Sequence, residues 1–79
     1  MDKDQIQNAI LREDPEEIGG RAIEDIDTQD GIRYVLEGGY WALIRFSGTE
    51  PLLRLYAEGE STQEVKAFLD DLKRLALLR

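Results

Sequence analysis

The chain has no cysteine and no histidine among its 79 residues. Those two absences exclude thiolate and imidazole metal ligands, a cysteine nucleophile and any histidine general base. They also exclude a disulfide framework, and a cysteine-free composition fits a reducing cytoplasm. Long apolar runs are missing as well, so neither a membrane span nor a secretory leader is expected. Positive charge is scarce: 10 Lys and Arg stand against 17 Asp and Glu, for a net charge of −7. A nucleic-acid binder neutralises several phosphates with clustered cations, and anionic membranes select for the same charge, so neither partner is expected.

What remains is one small domain, able to bury about 60% of the surface its unfolded chain exposes. A catalytic cleft normally draws on more chain than this. A binding module, or a piece of a larger enzyme beginning near Met1, is therefore expected.

Ile6, Ala9 and Ile10 lie at i, i+3 and i+4, which predicts a short helix over Asp4–Arg12 ended by Asp14-Pro15. Glu16 to Gly20 reads as a connector, its paired glycines releasing the chain in a new direction. The pattern then changes to β-favouring runs at Ala22–Asp27, Ile32–Leu36, Tyr40–Ser47 and Leu52–Glu58. Asp30-Gly31 and Gly38-Gly39 suit the first two turns, and Gly48 and Pro51 punctuate the third, giving an antiparallel meander. Ser61-Thr62-Gln63-Glu64 reads as a capping box, with Ser61 as cap and Glu64 returning a bond to the Ser61 backbone. Val65, Phe68, Leu69, Leu72, Leu75 and Ala76 form the apolar stripe of the helix that follows. The order is helix, four strands, helix: an α+β two-layer sandwich with both helices on one face of a four-stranded sheet and the other face open.

Around the third turn, Arg45, Ser47, Gly48, Thr49 and Arg54 gather two arginines, two hydroxyls and a flexible backbone in an acidic chain. Guanidinium forks match phosphate oxygens, and a Ser-Gly-Thr turn adds hydroxyl and backbone N–H donors. Alternation puts Trp41, Leu43, Arg45 and Ser47 on one face, in phase with Arg54 and Tyr56 on the next strand, while Ala42, Ile44 and Phe46 face the helices. Spacing alone leaves two readings. One is a phosphate socket; the other is a hairpin connection whose arginines pair with Glu50 and Glu58. No Walker lysine or following helix is present, so a nucleoside triphosphate is not implied. Asp25, Asp27 and Asp30 read as a solvated edge rather than a divalent-metal site. Tyr40 and Trp41 read as packing aromatics, although an open face around Trp41 and Tyr56 also fits a protein-interaction domain.

The run from Arg45 to Glu58 resembles the phosphate-binding loop in the C-terminal domain (domain 4) of the α-D-phosphohexomutases, the phosphoglucomutase/phosphomannomutase superfamily. Ile18-Gly19-Gly20-Arg21, the Asp27-to-Gly31 turn and the Trp41 strand resemble the same domain. The resemblance implies a fold like one repeat of the TATA-binding protein. It implies that Arg45, Ser47, the Gly48 N–H, Thr49 and, less directly, Arg54 hold the non-reacting phosphate of a hexose phosphate. In that family a phosphoserine exchanges a phosphoryl group with the sugar through a bisphosphorylated intermediate, with magnesium at the reacting site. None of the phosphoserine, magnesium or sugar-recognition loops is found in this chain. The expectation is an excised C-terminal domain, inactive alone, with no cofactor of its own, partnered by the other domains of a mutase. The Arg-Phe-Ser and Arg-Leu-Tyr spellings resemble the glucose/mannose mutases more than the glucosamine branch, which remains the alternative.

Overall fold

A computed structural model describes residues 3–47 and 52–77. The elements run α1 (Lys3–Glu13), β1 (Glu17–Ile18), β2 (Arg21–Asp27), β3 (Ile32–Leu36), β4 (Tyr40–Phe46), β5 (Leu53–Glu58) and α2 (Thr62–Leu77). The sheet order is β1-β2-β3-β4-β5, antiparallel throughout. Each strand pairs with its neighbour in sequence because every connection is short. No helix among the described residues is long and apolar enough to cross a membrane.

The sheet therefore has five strands, not the four expected from the sequence. The extra one is β1, which falls in the stretch read as a connector. Gly19 and Gly20 have φ of 58° and 89° and join Ile18 directly to Arg21, which are partners across the ladder. A two-residue loop with positive φ at both positions matches the twist of the flanking strands, so the glycine pair closes a hairpin instead of ending regular structure. The added strand is only two residues long, too short for alternation to reveal it.

Ile18, Ile32, Tyr34, Leu36, Ala42 and Ile44 from the sheet join Ile6 and Ile10 of α1 and Phe68, Leu72 and Leu75 of α2 in one core. Both helices thus cover the same face, as expected. α2 packs on β1 as well as on β4 and β5. One helix reaching both edge strands requires the sheet to curl around it. Phe68 sits at the centre of that curl, against Gly19, where a β-carbon would lie 2.4 Å from the Phe68 ring. The Gly19 N–H donates to Asp71 Oδ2 at 2.6 Å, fixing the hairpin to α2.

The start of α2 differs in one detail from the expected cap. Ser61 Oγ accepts from the Glu64 N–H at 3.1 Å, but Glu64 Oε1 accepts from the Glu60 N–H, at 2.8 Å, and not from that of Ser61. Its other oxygen, Oε2, is held by Arg21 Nε at 2.7 Å. α1 ends at Asp14, which adopts φ 44° with its N–H bonded to the Leu11 carbonyl at 3.1 Å. That left-handed residue, followed by Pro15, stops the helix where the sequence predicts.

Candidate functional site

The strands present alternate residues to the helix-free face. On β4, Ala42 and Ile44 are buried whereas Arg45 is exposed; on β5, Arg54 and Tyr56 are exposed and Leu53, Leu55 and Ala57 turn inward. Register decides which of these meet. Leu43 pairs with Tyr56, and Arg45 pairs directly with Arg54. Side chains of directly opposed residues stand about 5 Å apart at Cβ, and like charges in that position repel.

Beyond this pair the Ser47 N–H donates to the Leu52 carbonyl at 3.1 Å, which draws the two strands together at the mouth of the hairpin. Arg45, Phe46, Ser47, Arg54 and Tyr56 line a shallow depression of about 250 Å³ at that mouth. Three of the five residues assigned to the site from sequence, Arg45, Ser47 and Arg54, are thus brought together. Gly48 and Thr49 lie outside the described residues, as do Glu50 and Pro51.

Neither arginine is committed to the partner that the simple hairpin reading offers among the described residues. Glu58 is the ladder partner of Trp41, and among the described residues no ion pair joins it to Arg54. Arg45 approaches Asp30 of the β2–β3 turn, with Nε 3.5 Å from Oδ2, and both side chains are largely in solvent. A neighbouring depression of about 340 Å³ is lined by Asp27, Gln29, Asp30, Arg33, Trp41 and Leu43. Arg33 lies over the Trp41 ring, 5.5 Å from its centroid. Asp25 and Asp27 are occupied by local bonds to the Ile26 and Gln29 N–H groups. Among the described residues no group of three or more Asp, Glu, His or Cys side chains is placed to hold a metal ion.

Sequence reasoning overlooked an electrostatic centre built on Arg21. Arg21 binds Glu64, reaches Glu60 Oε2 at 3.1 Å, donates to the Glu37 carbonyl and stacks on Tyr40, 4.4 Å from the ring centroid. The bond to Arg21 holds the Glu64 carboxyl below its ordinary pKa, aided by the Glu60 N–H. Arg21 is raised in turn, chiefly by the same bond. This centre joins β2, the β3–β4 turn and α2, so it is structural. The signal that could have found it is the conjunction of a hairpin glycine pair with an arginine immediately after it.

Residues 3–75 match the family described as phosphoglucomutase/phosphomannomutase, C-terminal domain. The chain belongs to that family. It is 48% identical over 50 residues to a probable phosphoglucosamine mutase of Methanopyrus kandleri, covering 63% of this chain and 11% of that protein. To the phosphoglucomutase/phosphomannomutase of Thermococcus kodakarensis it is 40% identical over 45 residues, 57% of this chain and 10% of the relative. To the phosphoglucosamine mutase of Methanocaldococcus jannaschii it is 46% identical over 44 residues, 56% and 10% respectively. The chain spans about a tenth of the length of these curated relatives. No solved structure matches it.

Proposed function

We propose that this domain is the phosphate clamp of a hexose-phosphate mutase, holding the phosphate that is not being transferred. One observation carries the reading: Arg45 and Arg54 are direct cross-strand partners on the helix-free face, at a hairpin mouth, in a chain of net charge −7. Opposed like charges repel, Asp30 beside Arg45 offsets only part of that repulsion, and a dianion bound by both guanidinium groups relieves the rest. Ser47 stands at the same mouth, and Gly48 and Thr49 continue the motif in sequence.

The mechanism assigned to the domain is positioning. Arg45, Ser47, the Gly48 N–H, Thr49 and Arg54 fix one phosphate, which sets the distance of the sugar from a reacting phosphoserine elsewhere in the enzyme. After the first transfer the bisphosphorylated sugar must reorient, and a clamp built from interchangeable charge-assisted contacts can release one phosphate and accept the other. Magnesium, which would stabilise charge on the transferring group, finds no ligand set among the described residues. The domain itself contributes binding and orientation, and alone it is inactive. A cytoplasmic setting accompanies this reading, in line with the absence of cysteine.

The substrate class is a hexose phosphate. The Arg-Phe-Ser and Arg-Leu-Tyr spellings favour glucose or mannose phosphate; the names of the relatives from M. kandleri and M. jannaschii favour glucosamine phosphate as the alternative.

The test is titration of the ¹⁵N-labelled chain with glucose 1-phosphate, glucose 6-phosphate and glucosamine 6-phosphate, with glucose and matched salt as controls. Saturable amide shifts over residues 45–49 and at Arg54 are expected, at about millimolar affinity, near −4 kcal/mol. Arg45→Ala removes a charge-assisted contact and weakens binding by about 1.5–3 kcal/mol. Equal responses to glucose and its phosphates, or no saturable shift, would overturn the proposal.

A further inference from the structure

We propose that Asp30 is a positioning residue for Arg45, holding the inner edge of its guanidinium so that the terminal N–H groups face the mouth of the β4–β5 hairpin. The inference rests on the phosphate-clamp reading of that mouth and adds a residue from a different turn.

The β2–β3 turn is pressed onto β4 at the arginine itself. Ile32 pairs with Ile44, so Gly31 comes level with Arg45. Gly31 has φ +88°, and a β-carbon there would lie 2.2 Å from the Ile44 carbonyl oxygen and 3.0 Å from the Arg45 Cα. No side chain fits that gap. The close approach carries the preceding residue, Asp30, up beside the Arg45 side chain, where Oδ2 stands 3.5 Å from Nε.

The point of contact matters. A guanidinium has five N–H donors, one on Nε and four on the two terminal nitrogens. A carboxylate placed at Nε steadies the plane of the fork and leaves the four terminal donors for a bidentate ligand. Arg54, the cross-strand partner of Arg45, has no corresponding acid among the described residues. The two arginines are therefore unequal: one is oriented from behind and the other is free to adapt.

Positioning and simple neutralisation predict opposite signs. If Asp30 were only a counter-charge, its removal would raise the local potential and tighten phosphate binding. If it orients Arg45, its removal loosens the fork and weakens binding despite the more favourable charge.

The experiment uses the full 79-residue chain, labelled with ¹⁵N, as wild type, Asp30→Ala and Asp30→Asn, with Arg45→Lys to assign the Arg45 Nε–H signal. Inorganic phosphate and glucose 6-phosphate are the probes. Asp30→Ala is expected to shift or broaden the Arg45 Nε–H signal while that of Arg54 stays in place. It should raise Kd about two- to fivefold, the scale of an exposed ion pair. Asp30→Asn, which keeps the side-chain size and one acceptor oxygen, should recover part of the loss. An unmoved Arg45 signal, or unchanged or tighter binding in Asp30→Ala, overturns the proposal. Should wild type bind neither probe while the Arg45 signal still responds to Asp30→Ala, the phosphate reading falls and the orientation of Arg45 by Asp30 stands. Backbone spectra that superimpose away from the turn show that the variants remain folded.

Discussion

Arg54→Glu is expected to make the domain more stable and to abolish phosphate binding. Arg45 and Arg54 oppose one another across β4 and β5, and two unit charges about 6 Å apart in water repel by about 0.7 kcal/mol. Splaying of the side chains lowers that figure, and Asp30, beside Arg45, offsets part of it. Opposed like charges in sheets cost about 0.2–1 kcal/mol relative to neutral pairs. Exchanging one arginine for glutamate converts repulsion into attraction, for a gain of about 1 kcal/mol after discounting for exposure. In a domain of this size that corresponds to a rise in Tm of about 4–8 °C. The substitution also takes the net charge from −7 to −9, one cation lost and one anion gained, which opposes the gain, so a rise is a stringent result. Arg54→Gln, which only removes the repulsion, should give about half the effect. Thermal melts followed by circular dichroism at about 0.01 M and 1 M salt provide the assay, because the Debye length falls from about 30 Å to 3 Å over that range and should erase the difference. An Arg54→Glu variant that melts no higher than wild type at low salt, or that still binds glucose 6-phosphate, refutes the argument that a strained cation pair is kept for its ligand.

Gly31→Ala should destabilise the domain by more than about 1 kcal/mol, since φ +88° disfavours any L-residue and its β-carbon would strike the Ile44 carbonyl; equilibrium urea unfolding measures the loss. Tyr34→Phe should stabilise by about 1 kcal/mol at neutral pH, because the buried Tyr34 hydroxyl has no hydrogen-bond partner among the described residues. Burial, and then Asp14, push the Tyr34 phenol up to about 12. The folded state thus favours the protonated form, and stability present below pH 10 is lost as pH rises from 10 through about 12. The two-unit difference corresponds to roughly 2–3 kcal/mol, and urea unfolding of Tyr34→Phe against wild type should show that excess loss vanish. For Glu64 the sign is reversed: its folded pKa is depressed, so the contribution is present above the ordinary value of 4.5 and is lost as pH falls through and below it. Glu64→Gln should flatten that part of the acid unfolding curve, and an unaltered slope would count against the Arg21–Glu64 bond.

Much of the architecture was legible because burial enforces period. Ala42 and Ile44 alternate with Leu43 and Arg45, and only one of the two faces can enter the core, so a one-residue slip would have buried Arg45. The same alternation on β5 placed Arg54 beside it, which is why the co-location of Arg45, Ser47 and Arg54 followed from the sequence. What was missed follows from contacts between residues distant in sequence. β1 is too short to show a period and is held by Phe68 over Gly19 and by Asp71 on the Gly19 N–H, both supplied from α2. Arg21 reads as an ordinary strand residue until Glu60, Glu64 and Tyr40 are folded around it. Asp30 reads as a turn residue, and its relation to Arg45 depends on how closely Gly31 lets two strands approach.

The antiparallel connections divide the sheet's ends between two tasks. At one end the start of β2, the end of β3, the start of β4 and the end of β5 meet, and there Arg21 ties Glu37, Tyr40, Glu60 and Glu64 together at the N-terminus of α2. At the other end lie the β2–β3 turn and the β4–β5 hairpin, with Arg45 and Arg54 opposed. A chain with only ten cations thus pairs one arginine with two glutamates, a carbonyl and a ring at the first end, and at the second opposes two arginines with a single exposed acid, Asp30, beside one of them among the described residues. Stability gained by closing β1, β2 and α2 around Arg21 lets the far end tolerate repulsion that a uniformly optimised surface would eliminate. On that argument, loss of the Arg21 centre should lower the melting temperature with little effect on the hairpin mouth's affinity for phosphate, whereas changes at Arg45 or Arg54 should alter affinity and stability in opposite directions.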